Sequence, residues 1–450
     1  MGQSASLANI RQHFIHYAQE NLQEKLFVHT DKSFYLAGEL LWFKVYDVDG
    51  SFHKPLELTK VAYVEILDQI QKPVAQAKIS MKEGTGNGSF FLPVSLHSGN
   101  YTLRAYTNWM KNFSSSYFFE KSITVVNTLR SPDPVQQTAS SGYKVQFFPE
   151  GGDMVQGLQN RLALEILDTN GKGVEGCQGA VLDQNGGTAV QFKSVRFGMG
   201  NFYFRPEANK TYHTVIKIGS DTIIQPALPG ILEKGFVMNL VDADGDRLKL
   251  TVETNTTLPD KTLLLLIHTR QVLDLTETMQ LEQNKAIFFI DKKNLGEGIS
   301  QLTIFNNARQ PLCERLYFKK PGALHLRVES DQKEYMLRHK VELGIQSENE
   351  SGSPLAANLS MSVFLLDSLQ SPEDGDILSY LWLQSDIKGY IESPEYYFRN
   401  SGKEVEETTD NLMMTHGWRR FRWEDVLHGE KKMPEFIPEF EGHTVRGRIL

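Results

Sequence analysis

The chain is 450 residues long, more than a single hydrophobic core normally holds, so several domains are expected. With 40% hydrophobic and 23% charged residues its composition is globular, which excludes bulk disorder. A net charge of -8 excludes a general phosphate-binding surface, since nucleic-acid binders draw affinity from clustered Lys and Arg, and no apolar run reaches the roughly 18 residues of a membrane helix.

In chain order, residues 1–23 form an N-terminal helix with Leu7, Ile10, Phe14, Tyr17, Ala18 and Leu22 on one face, expected to pack on the first domain. His13, His16 and Glu20 share a face at metal-compatible spacing, but two histidines and a carboxylate on a surface helix are read as solvated. Residues 24–128 alternate as short antiparallel strands, at 40–46, 61–67 and 74–80, separated by turn signals at Asp47-Val48-Asp49-Gly50, Asp68-Gln69 and Gly84-Thr85-Gly86-Asn87-Gly88. Ala62, Val64 and Ile66 share one face, as do Tyr101, Leu103 and Ala105, which makes the unit a β-sandwich.

Residues 129–141, rich in Pro, Ser and Gln, are the linker to a second sandwich over 142–230. A third occupies 231–320, with strands at 236–240, 247–253, 263–269, 286–290 and 299–305. Glycines before a late strand of each unit, at 99, 200 and 298, recur about every 100 residues and mark a tandem array. A fourth sandwich is expected over 321–440, with a helical insertion and tail, because Tyr335 aligns with Tyr35 three units away. Residues 375–384 read as helical and 401–410 as an acidic flexible stretch, and residues 441–450 open a following domain.

The stretch Thr30-Asp31-Lys32, Tyr35, Gly38-Glu39 and Trp42-Phe43 resembles the second macroglobulin-type domain of the alpha-2-macroglobulin superfamily, in the form carried by cell-envelope proteins of Bacteroidetes-like bacteria. Residues 147–164 resemble that family's third domain, and residues 385–398 and the Gly417-Trp418-Arg419-Arg420 core resemble two further motifs of it. The ending, Thr444-Val445-Arg446-Gly447-Arg448, looks like the first strand of a carboxypeptidase-regulatory-like domain, which the family commonly follows with a region similar to the plug of TonB-dependent receptors. The resemblance implies an exported protein, periplasmic or associated with the outer membrane, and a chain that is the N-terminal part of a longer one. The absence of an apolar signal core at Met1-Gly2-Gln3-Ser4-Ala5 then fits a removed signal peptide. Trp418, Phe421, Met413 and Met414 are expected to pack on the fourth unit, with the arginines facing acidic neighbours.

Chemistry is weakly signalled. The superfamily's thioester needs a Cys-Gly-x-Gln motif, and Gly176-Cys177-Gln178-Gly179 lacks the following glycine and the glutamine three residues on. Gly171, Gly173 and Gly176 are formally G-x-G-x-x-G, but a strand and not a helix follows, so the stretch is read as a hairpin turn. Asp242, Asp244, Asp246 and Glu253 fill positions one, three, five and twelve of a calcium loop, yet Arg247 stands where the sharp turn needs glycine, and a hairpin turn is the better reading. Asp47-Val48-Asp49-Gly50 carries the same two readings. Cys177 and Cys313 fall in different units and are read as free thiols. No catalytic, cofactor-binding or metal-ligating residue is nominated, and no cofactor.

The expected fold class is mainly β: tandem immunoglobulin-like, macroglobulin-type antiparallel sandwiches with a short N-terminal helix and a helical segment near the C-terminus. The expected function is a non-enzymatic cell-envelope scaffold or binding protein, linked to outer-membrane transport and partnered by a protein or other macromolecule; nucleic acid is not expected as a partner, nor a transmembrane span in this chain. The alternative is a protease-trapping inhibitor without a thioester. A third reading, an undetected hydrolase, has no motif behind it.

Overall fold

The computed structural model describes residues 2–130, 142–219, 222–322, 324–365, 375–417, 420–428 and 433–442. Helix α1 (Gly2–Glu20) precedes the first sandwich, built from β1 (Glu24–Thr30), β2 (Phe34–Leu36), β3 (Leu40–Asp49), β4 (Val61–Leu67), β5 (Pro73–Ser80), β6 (Thr85–Phe91), β7 (Gly99–Thr107) and β8 (Phe119–Val126). One sheet has the order β1-β3-β6 and the other β2-β8-β7-β4-β5, with β2 alone running parallel to its neighbour. Alternation along the strands closes the core: Leu41, Phe43 and Val45 of β3 are buried against Val64 and Ile66 of β4 and Leu103 and Ala105 of β7.

The second sandwich repeats this order with β9 (Lys144–Pro149), β10 (Met154–Val155), β11 (Asn160–Leu167), β12 (Gln178–Asp183), β13 (Thr188–Lys193), β14 (Met199–Phe204), β15 (Tyr212–Ile218) and β16 (Thr222–Ile224). Its sheets are β14-β11-β9 and β13-β12-β15-β16. After β17 (Ile231–Leu232), which pairs in parallel with β10, the third follows with β18 (Phe236–Asp242), β19 (Arg247–Thr254), β20 (Thr262–Thr269), β21 (Val272–Gln280), β22 (Lys285–Asp291), β23 (Gly298–Asn306) and β24 (Pro311–Lys319). Its sheets, β18-β19-β22 and β21-β20-β23-β24, keep the topology. The repeat is therefore real, but Gly200 is not its marker. Gly99 and Gly298 open the equivalent strands β7 and β23, whereas Gly200 lies in β14, the counterpart of β6; the counterpart of β7 is β15.

Two expectations change on the way. The run from Gly84 to Gly88 is a turn only at Gly84, whose φ is +69°. Gly86 and Gly88 belong to β6, where a Cβ would sit 2.7 Å from Met81 Sδ and 2.8 Å from Phe43 Cζ, so glycine serves close packing inside a strand. Helix α1 packs on the third sandwich and not the first: Ile10 and Phe14 bury against Leu264, Leu266 and Phe305. The reason lies in β20, which is buried along its whole length because Leu263, Leu265 and Ile267 face the sandwich core while Leu264 and Leu266 face the helix.

After the third sandwich the described residues hold only one further strand pair, β25 (His325–Ser330) with β26 (Leu343–Glu348), in place of the expected fourth sandwich. The chain then becomes helical. Helix α2 (Ile377–Ser379), capped by Asp376, runs into a π-helical turn over Tyr380–Gln384, followed by α3 (Tyr396–Arg399), α4 (Lys403–Thr415) and α5 (Trp423–His428). The acidic stretch expected to be flexible is the first half of α4. Glu404 and Glu406 stand in its first turn, where they complement the helix dipole, and Val405, Thr408, Leu412 and Met413 are buried.

Candidate functional site

Two features organise the molecule: the turn between β1 and β3, which occurs twice, and the helical segment 375–417, which wedges among all three sandwiches.

In the first copy of the turn, Asp31 Oδ1 accepts a hydrogen bond from Trp42 N at 3.0 Å and lies 2.7 Å from the Tyr35 hydroxyl. That hydroxyl is also 2.7 Å from Lys32 O. Tyr35 is fully buried, and burial followed by the Asp31 hydrogen bond pushes its phenol far up, so it stays a neutral donor. Glu39 Oε2 accepts from Leu36 N and from Lys32 Nζ, both at 2.8 Å, and Gly38 takes a φ of +97°. Asp31, Lys32, Tyr35 and Glu39 thus close a strand-turn-strand entry with their polar atoms, which is structural employment and not a reactive constellation.

The second copy sits 300 residues on. Tyr335 OH reaches Asp331 Oδ1, Glu342 N donates to Asp331 Oδ1 at 2.9 Å, and Arg338 takes the left-handed place of Gly38 at φ +61°. The register agrees as well: Lys25 pairs with Val48 and Thr30 with Phe43, while His325 pairs with Glu348 and Ser330 with Leu343. The separation read from Tyr35 and Tyr335 is therefore a match of turn, hydrogen bonds and register. What differs is cover. Leu26, Val28, Leu41 and Val45 are 0% exposed and Phe43 5%, but their counterparts Leu326, Val328, Val341, Leu343 and Ile345 are 51, 57, 49, 41 and 43% exposed.

The helical segment is keyed to the frame by two buried charge clusters. At the first, Lys25 Nζ of β1 lies 2.8 Å from Asp386, 2.9 Å from Leu381 O and 3.0 Å from His53 Nε2. Arg420 Nε reaches Asp386 Oδ1 at 3.2 Å, and Arg270, in the turn after β20, approaches His53 Nδ1 at 3.1 Å while lying over the Trp382 ring. Burial lowers the Lys25 ammonium to about 7 against the pull of Asp386. Burial works against ionisation of Asp386, but Lys25 and Arg420 outweigh it and hold its carboxyl below the usual range. Beside this cluster Glu24 accepts from Thr59 and Thr107, while burial first, then Glu24, pushes the Asp47 carboxyl well above its ordinary value.

At the second, Arg315 of β24 donates from Nε to Glu150 Oε1 at 2.8 Å and from Nη2 to Asp410 of α4. Arg161 of β11 donates to the other Asp410 oxygen at 2.7 Å, and Glu150 also accepts from Asn239 Nδ2 and Leu240 N. Second sandwich, third sandwich and α4 meet here in one network, flanked by an apolar cluster of Phe197, Met199, Ile299, Phe318, Leu383 and Leu412. Glu150 and Arg161 fall in the 147–164 stretch and Asp386 in the 385–398 stretch that carry the family resemblance, but nothing in the sequence pairs them. Glu150, Arg161, Arg315, Asp386 and Asp410 carry no local spacing signal, because their partners lie far away along the chain.

The motifs weighed for chemistry have structural employment. Asp242 accepts from Gly245 N at 2.7 Å and pairs with Lys292, while Asp244 pairs with Arg247, so the aspartates are the turn joining β18 to β19. Asp49 Oδ1 accepts from Ser51 N and Phe52 N in the turn after β3. Gly171 and Gly176 have positive φ, and a Cβ on Gly173 would meet the Phe197 backbone at 2.1 Å, so the G-x-G-x-x-G stretch is a tight loop between β11 and β12. Cys177 and Cys313 are free and buried, and burial pushes the Cys313 thiol up to about 12. His16 Nε2 pairs with Glu20 at 3.2 Å. Among the described residues no group of three metal-competent side chains gathers, and no helix is long and apolar enough to cross a membrane.

The Gly-Trp-Arg-Arg region departs from expectation. Met413 packs on the second and third sandwiches and Phe421 on Phe14 and Trp423, beside the third; among the described residues the fourth unit is a hairpin with its apolar face exposed. Arg420 does face an acidic neighbour, Asp386; Trp418, Arg419, the 131–141 part of the linker and residues 443–450 lie outside the described residues.

No protein-family model matches the chain, and no curated protein matches it. Among solved structures it is similar to an Escherichia coli alpha-2-macroglobulin activated by porcine elastase, with 9% identity over 74% of this chain and 34% of that one, at a TM-score of 0.24. It is also similar to a tetra-tandem repeat in the extending region of a large adhesion protein, with 10% identity over 73% of this chain and 89% of that one, TM-score 0.20. A third is domains 4-9 of the surface layer protein SbsC, with 10% identity over 74% and 54%, TM-score 0.25. The chain thus spans about a third of the length of the macroglobulin it matches. The fold rests on the sheet orders themselves: mainly antiparallel β, in tandem sandwiches with helices at either end.

Proposed function

We propose that the chain is a non-enzymatic scaffold of the cell envelope, a rigid frame of macroglobulin-like sandwiches that holds or recognises a macromolecule, in a protein linked to outer-membrane transport. The observation that carries the reading is the pair of buried charge clusters, Lys25–Asp386–Arg420 and Glu150–Arg315–Asp410–Arg161, which tie separate sandwiches to one helical segment. Breaking a buried pair from one side costs about 3–5 kcal/mol, so hinge motion at either junction is strongly opposed. A frame of this kind suits presentation of surfaces and strand edges. The exported address rests on the resemblance of the Thr30–Phe43 stretch to envelope proteins.

The test is limited proteolysis followed by small-angle scattering. A scaffold nicked in its exposed stretch at 349–365 keeps its radius of gyration and binds no protease. A shape change on cleavage, with protease retained, would instead favour the protease-trapping alternative.

A further inference from the structure

We propose that the first charge cluster binds a small monovalent anion of the chloride class, held on the Nη edge of Arg420 with Arg270 supplying a second positive charge, where the first sandwich, the third sandwich and the helical segment meet. The two clusters differ in balance. Around Glu150 and Asp410, two guanidinium groups face two carboxylates and all six of their nitrogens donate: Arg161 to Asn201, Leu240 O and Asp410, and Arg315 to Glu150, Leu316 O and Asp410. Around Asp386, two guanidinium groups and the Lys25 amine share one carboxylate. Here Arg420 Nη1, Arg420 Nη2 and Arg270 Nε are buried with no acceptor among the described residues, and so is the amide nitrogen of Gln271, next in the same turn. Each of these is a donor, and an unmatched buried donor calls for a bound acceptor.

Charge makes the acceptor an anion. Arg420 is only 3% exposed, and a guanidinium keeps its charge on burial because it does not lose its proton in proteins. Even with Lys25 neutral, two cations less one carboxylate leave one positive charge. All the cations bear on one place: burial first, then Lys25, Arg270 and Arg420, push the His53 imidazole down. Other nearby acids are engaged. Asp49 accepts from Ser51 N and Phe52 N, Asp274 from the Thr269 hydroxyl, Glu297 from Gly322 N and Glu24 from Thr59 and Thr107. The rings of Tyr117 and Trp382 lie against the guanidinium groups of Arg420 and Arg270, and a ring face is no substitute for a hydrogen-bond acceptor at the N–H edge. A water molecule would accept those bonds and leave the charge uncompensated, whereas a monovalent anion answers both. The inference goes beyond the scaffold reading and does not depend on it.

The test is to melt the full chain in sodium chloride, sodium bromide and sodium gluconate at one pH and constant ionic strength. Chloride and bromide are expected to raise the melting temperature saturably, by about 2–4 °C over gluconate. Arg420→Gln should abolish this halide-specific rise and Arg270→Gln should weaken its midpoint about tenfold. Arg161→Gln, in the balanced cluster, should lower stability and keep the halide response, which separates loss of the ion from loss of structure. If Arg420→Gln does not fold, Arg270→Gln and crystals of the wild-type chain grown in bromide decide the matter: the expected anomalous peak lies within about 3.5 Å of an Arg420 Nη atom. Equal melting in all three salts, an undiminished halide response in either cluster variant, or bromide peaks confined to the surface, an adventitious ion only, would overturn the proposal. Proteolysis and scattering read the rigid frame without reference to the anion, so the two readings fail separately.

Discussion

The hairpins β1–β3 and β25–β26 share one turn chemistry and one register and have opposite fates. Asp31 and Asp331 each bridge a tyrosine hydroxyl and the backbone eleven residues on, and both hairpins pair at the same offset. Yet one hairpin's inward face is sealed in a core and the other's stands open. The lesson is that turn residues fix local geometry and register without help from the core, whereas stability comes from cover, which no residue in the hairpin specifies.

The comparison can be broken most sharply at equivalent inward positions. Phe43→Ala is expected to cost about 3–5 kcal/mol in urea unfolding, while Leu343→Ala changes stability by less than about 0.5 kcal/mol. Similar costs for both would mean that the second face is covered after all. Next come the buried charges. Asp386→Ala strands Lys25 and Arg420 and is expected to cost about 3–5 kcal/mol, whereas Ala at His325, the counterpart of Lys25, leaves the melting temperature unchanged.

Asp47 occupies the position that Ser347 holds in the open copy. Its folded-state pKa is raised, so its stabilising contribution is full below the unfolded value near 4 and is lost as pH rises through the folded value; each unit of difference is worth about 1.4 kcal/mol. Asp47→Asn should therefore gain stability over wild type progressively as pH is raised from 4 to 8. A flat difference across that range would show that the carboxyl is not held protonated. Tyr35→Phe leaves the buried end of Asp31 short of a donor and is expected to cost about 1–2 kcal/mol, against less than about 0.5 kcal/mol for Tyr335→Phe. The smallest effect is local: Arg338→Gly removes a left-handed non-glycine residue and should slow amide exchange in β25–β26 by the equivalent of about 1 kcal/mol, with global melting untouched.

Much of the first three units was legible because their signals are local. The strand read at residues 61–67 forms as Val61–Leu67, and strands at 236–240, 247–253 and 263–269 form with ends a residue or two longer. The echo between Tyr35 and Tyr335 was legible for the same reason, since both hydroxyls bond within four residues. Of the candidate site, the stretches holding Glu150, Arg161, Asp386 and Arg420 were legible as motifs, but their pairing was not. Lys25 and Asp386 are 361 positions apart, and neither a period nor a motif links them.

By itself the amino-acid sequence determined the β class, the tandem repeat and the strand-turn-strand entry, because alternation and turn chemistry act over a few residues. Tertiary structure alone decided three things: that α1 packs on the third sandwich, that the acidic stretch 401–410 becomes a helix wedged against the second and third, and that the fourth unit is a hairpin among the described residues. Each depends on which distant apolar face or charge is left unpaired once the sandwiches have closed, and an amphipathic pattern names a face to be buried without naming what will bury it.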